Sequence, residues 1–92
     1  MVQTQQPLAG GVPEAPAAHH LGDLARSDRR WNVYLEFRPQ GRSIGGRLHF
    51  VESDARRTTA WIFLEASEQE ILNRFNEFSP VELWRLAESL DG

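Results

Sequence analysis

The sequence predicts an α+β domain: a three-stranded antiparallel β-meander followed by two short helices packed on one face of the sheet (βββαα), behind a disordered N-terminal tail. Three observations carry this. Apolar and polar residues alternate strictly from Trp31 onward, two polar connections let that alternation continue in register across three strands, and two Ser-x-x-Glu boxes open amphipathic segments near the C-terminus. All nine aromatic residues lie between Trp31 and Trp84, so the compact domain is expected to cover residues 30–92 and the tail residues 1–29.

The tail holds Pro7, Pro13 and Pro16 among Ala, Gly and Gln and shows no helical or strand period. Such a segment buries too little apolar surface to offset its ordering entropy. Leu21, Leu24 and Ala25 suggest at most one or two helical turns, weakened by Gly22.

In the first strand, Trp31, Val33, Leu35 and Phe37 fall on one face and Asn32, Tyr34, Glu36 and Arg38 on the other. With Gln40-Gly41 as a turn tip, Phe37 faces Ile44, Leu35 faces Gly46, Val33 faces Leu48 and Trp31 faces Phe50. Ser53-Asp-Ala-Arg-Arg57 reads as the second loop. Pairing Glu52 with Thr58 then sets Phe50 against Ala60, Leu48 against Ile62 and Gly46 against Leu64.

Ser67-Glu-Gln-Glu70 and Ser79-Pro-Val-Glu82 are helix starts, the second with proline at its favoured first position. Ile71, Leu72, Phe75 and Phe78 form the apolar stripe of the first helix. Leu83, Leu86, Ala87 and Leu90 form that of the second, with Trp84 at its flank. Both stripes are expected to cover the apolar sheet face.

The opposite face carries the candidate site. These registers align Tyr34, Arg47 and Phe63 in one row and Asn32, His49 and Trp61 in the next, a concentration of aromatic and arginine side chains that water alone does not explain. Tyr34, Arg47, His49, Trp61 and Phe63 are therefore the candidate partner-binding residues. Arg38, Arg42, Arg56 and Arg57 are basic residues of the hairpin loops. The expected occupant is another protein or a second copy of the chain, giving a small, non-enzymatic, homodimeric interaction or regulatory module that pairs through this aromatic face or through the edge of its sheet, where the third strand is apolar on both sides. Single-stranded nucleic acid, stacked on the same aromatics with arginines on its phosphates, is the alternative. In a third arrangement, residues 19–30 fold back over this face.

Charge is uneven behind a net −3. Residues 26–57 carry eight Arg against four acids, and residues 58–92 two Arg against seven. This favours an anionic partner at the middle of the chain or attraction between copies.

The absence of cysteine excludes disulfides, thiolate zinc sites and cysteine nucleophiles. His19 and His20 have no ligand-spaced companions, so no metal or cofactor is expected. Glu36 and Glu65 flank Gly45 across the expected sheet, a carboxylate pair that offers acid/base chemistry but no enclosing pocket or orienting group, and no enzymatic activity is predicted. The glycine-rich stretch Pro39–Arg47 lacks the helix start a phosphate loop needs. The acidic second helix is repelled by DNA, which removes a helix-turn-helix reading. With no membrane-spanning run and no basic, apolar leader, the expected location is the cytoplasm.

Overall fold

The computed structural model describes residues 18–53 and 55–90. The expected disorder of residues 1–17 lies outside these. Strands β1 (Ala18–Arg26), β2 (Arg29–Gln40), β3 (Ser43–Glu52), β4 (Ala55–Thr58) and β5 (Phe63–Glu65) precede helices α1 (Glu68–Phe75) and α2 (Pro80–Ser89). The strands form one antiparallel sheet in the order β1-β2-β3-β4, with β5 pairing β3 beyond β4. The meander and its two C-terminal helices are as the sequence predicts.

The sheet starts inside the segment read as tail. Residues 18–26 neither coil nor fold over the outer face; they pair with β2 along its free side, from Ala18 opposite Glu36 to Arg26 opposite Arg29. Leu24 joins the core beside Trp31. A bulge between His20 and Gly22, with Gly22 at φ +155°, breaks the simple period that would have advertised a strand.

The β2–β3 turn is one residue later than expected, with Gln40 opposite Ser43 and Gly41 at φ +63°. Partners move by two positions, to Leu35 with Leu48 and Phe37 with Gly46. A two-residue shift conserves faces, so both apolar rows still point inward.

The next connection overturns the expected register. Glu52 pairs with Ala55, His49 with Thr58 and Gly46 with Phe63. Only two residues join β3 to β4, and the parity of the outer strand is reversed. Phe63 faces the helices at 6% exposure, whereas Ala60, Ile62 and Leu64, expected in the core, are exposed. Ser53 makes this tight connection at φ +51°, as Ser27 does between β1 and β2 at φ +56°. Ladder pairing lapses between Thr58 and Phe63, where Thr59 stands in: its N–H donates to the Leu48 carbonyl (2.9 Å) and its hydroxyl accepts from the Leu48 N–H (3.0 Å).

Both helices start where their boxes predict. The Ser67 hydroxyl accepts from Glu70 N–H, and Ser79 and Glu82 close a reciprocal capping box. Ile71 of α1 lies so close to Gly46 that a Cβ there would stand 3.2 Å from its Cγ2. Leu83, Trp84 and Ala87 of α2 complete a core in which Trp31 meets Phe50 and Trp84 edge-on. Arg57 comes from β4 on this same side. Its guanidinium lies 5.0 Å from the Trp31 ring and donates to the Ala87 carbonyl in the last turn of α2, a turn with no basic residue of its own.

Candidate functional site

The outer sheet face is organised around the Glu36 carboxylate. Glu36 on β2 and Arg47 and His49 on β3 point to the same side, and one oxygen, Oε1, accepts from both Arg47 Nε (2.8 Å) and His49 Nε2 (2.8 Å). A carboxylate only accepts here, so Nε2 carries the proton. The neutral ring then presents Nδ1 as acceptor to the Thr58 hydroxyl, 3.0 Å away. At 4% exposure His49 is a buried structural residue rather than a free contact. Burial, opposed by the bond to Glu36, holds its pKa below 6.5. Burial pushes the Glu36 carboxyl up, but bonds from Arg47 and His49 outweigh it and hold the group below 4.5.

Trp61 reaches this face because the chain bulges between β4 and β5. Two guanidiniums pack against its ring, Arg38 at 4.0 Å and Arg47 at 4.4 Å from its centroid. The pairing with Glu36 anchors Arg47. Arg38 bonds Gln40 Oε1 at 3.4 Å and has no carboxylate partner among the described residues. The space above Gly45 is filled: a Cβ there would come within 2.7 Å of Gln40 Oε1, the oxygen that Arg38 bonds.

Of the five candidate partner-binding residues, Tyr34, Arg47, His49 and Trp61 share the outer side, but Phe63 is in the core. Tyr34 is half-buried and stacked against His20 of β1, ring centroids 5.0 Å apart. Of the loop arginines, Arg42 is exposed at the β2–β3 turn, Arg56 is exposed on β4, Arg38 joins the Trp61 stack, and Arg57 points toward the helices. The Glu36–Glu65 pair is also separated. Glu65 lies on the helix side, bonded to Arg74 of α1 at 3.1 Å, and Glu36 lies on the other face.

Ile62 and Leu64, which the expected register put in the core, are exposed at 45% and 55%. Leu64 lies in β5 and Ile62 immediately before it, at an edge with no strand on its far side among the described residues. On the helix side of that edge runs an open groove of about 390 Å³, lined by Ile62, Phe63, Glu65, Arg74, Glu77, Phe78 and Glu82. Phe63 and Phe78 meet edge-on at 6.2 Å in its floor. No group of His and carboxylate side chains able to hold a metal occurs among the described residues, and no described helix is long and apolar enough to cross a membrane.

No protein-family model matches the chain, and neither a curated protein nor a solved structure resembles it.

Proposed function

We propose that the chain is a small, non-enzymatic protein-interaction module that takes an extended segment of another protein onto its β5 edge, beside the Arg38–Trp61–Arg47 stack. One observation carries the reading: Leu64, 55% exposed, sits on a sheet edge with no strand on its far side among the described residues, and Ile62, 45% exposed, immediately precedes that strand. Glu65, the charged residue of this short edge, turns to the helix side and bonds Arg74, which leaves Leu64 as the outer side chain of the strand. Such an edge is a template for strand addition, in which main-chain bonds supply affinity and flanking side chains supply specificity.

Charge supports a different protein over a second copy stacked face to face. Arg30, Arg38, Arg42, Arg47 and Arg56 outnumber Asp23 and Glu36 on the outer side and its turn. A two-fold stack of outer faces sets these arginines against their own copies, which disfavours a second copy there. Nucleic acid is less well served than the sequence suggests, because Phe63 is buried, Tyr34 is half-buried against His20, and Trp61 already packs on two arginines.

The test is a library of extended nonapeptides screened against the wild type and Leu64→Lys, with sedimentation equilibrium of both. The reading predicts a wild-type monomer and peptide ligands lost in Leu64→Lys while the far-UV circular dichroism is unchanged. A wild-type dimer split by Leu64→Lys assigns the edge to a second copy. Ligands that bind both proteins equally sink the edge reading, and tight binding of single-stranded oligonucleotides revives the alternative.

A further inference from the structure

The two sides of the β5 edge differ in charge, and a strand added there reads both at once. In an extended segment, successive side chains point to opposite faces. On the outer side, such a segment lies beside Leu64 and faces the positive charge of Arg47 and Arg38, which lie farther in on β3 and β2 against the Trp61 ring. On the helix side, its alternate residues face the groove lined by Ile62, Phe63 and Phe78 and by the carboxylates of Glu65, Glu77 and Glu82 against one cation, Arg74. Phe63 and Glu65 of β5 line the groove, and its volume, about 390 Å³, accommodates one or two large side chains.

We infer that the partner is a strand of segregated charge, with acidic or apolar residues at alternate positions facing the Trp61 stack and arginine or lysine mixed with large apolar residues at the intervening positions facing the groove. This rests on the β5-edge reading and adds the chemistry of the occupant. Arg38 is the key determinant on the outer side, since Arg47 is already neutralised by Glu36 at 2.8 Å. Glu77 has the same part in the groove. Its contact with Arg74 is long, at 3.6 Å, whereas Glu65 is bonded to Arg74 at 3.1 Å and Glu82 is committed to the cap of α2.

Two synthetic nonapeptides of identical composition test this by fluorescence anisotropy. One places its glutamates and arginines on opposite faces of an extended strand, and the other mixes both on each face. The segregated peptide is expected to bind at least about tenfold more tightly, a gap of roughly 1.4 kcal/mol. Arg38→Glu and Glu77→Arg each reduce that preference, and Leu64→Lys removes binding of both. Equal affinity for the two peptides, lost in Leu64→Lys, overturns the charge rule and leaves the edge reading standing. Affinity that Leu64→Lys leaves unchanged overturns the edge reading itself, and no binding of either peptide overturns the charge rule.

Discussion

Replacing Glu36 with alanine removes the acceptor that two cationic or polar side chains share. His49 Nε2–H, in a side chain 4% exposed, is left without a partner, and an orphaned buried donor costs about 1–3 kcal/mol. Arg47 reaches solvent and rehydrates, so its lost ion pair adds at most about 1 kcal/mol. The sum is about 1–4 kcal/mol, or roughly 5–30 °C in Tm for a domain of this size. Urea unfolding at pH 7.5 followed by tryptophan fluorescence measures it, and Glu36→Gln, which keeps one acceptor oxygen, is expected to lose about half as much. The pH arm is independent. His49 and Glu36 both have folded-state pKa values below their ordinary 6.5 and 4.5, so the unfolded chain binds more protons in acid. The stability they contribute is complete above pH 6.5, falls as His49 is forced to protonate below that, and falls again below pH 4.5. In Glu36→Gln the His49 pKa drops further, because the support from the carboxylate is gone and burial and the charges of Arg47 and Arg56 remain. The loss between pH 7 and 5 therefore steepens. A Glu36→Ala protein within 0.5 kcal/mol of wild type, or a wild-type stability flat between pH 7 and 5, refutes this reasoning.

Gly46→Ala drives a methyl against buried Ile71 and Phe63, with contacts of 3.2–3.3 Å, and is expected to destabilise by about 1–3 kcal/mol in the same urea assay. Phe63→Ala is expected to cost about 3–5 kcal/mol and Leu64→Ala under about 1 kcal/mol, whereas the register with Leu64 in the core reverses that order. Arg57→Met removes the donor to the Ala87 carbonyl and the cation over Trp31. Hydrogen exchange is expected to show the last turn of α2 opening more readily, with the first turn, capped by Ser79, unaffected.

Where a face was read from long alternation, sequence and structure agree: Trp31, Val33, Leu35 and Phe37 point inward although the turn moved, because a shift of two preserves parity. Both helix starts were legible because Ser67 and Ser79 act through local hydrogen bonds. The third strand was not. Phe63 and Leu64 are both apolar, so composition gave no face, and the register hung on a loop length. Two-residue connections usually announce themselves with Asn-Gly or a similar pair. Here Ser53 takes positive φ with no glycine, and only the repeat of Ser-Asp at 27–28 and 53–54 hinted that the same device is used twice. The polar centre of the site was partly legible. Arg47, His49 and Trp61 were placed on one face, but their dependence on Glu36 comes from the shifted β2–β3 register, which sets Glu36 opposite Arg47, and the bulge that brings Trp61 over Arg38 and Arg47 comes from the lapse in the ladder at Thr59.

Pairing of a partner strand with β5 is read residue by residue in an amide-resolved NMR titration of the protein with the segregated peptide. Shift changes are expected to concentrate at residues 61–65, with Arg38 on one side and Phe78 on the other. Changes centred instead on β1 or the exposed face of α2, with residues 61–65 silent, contradict it.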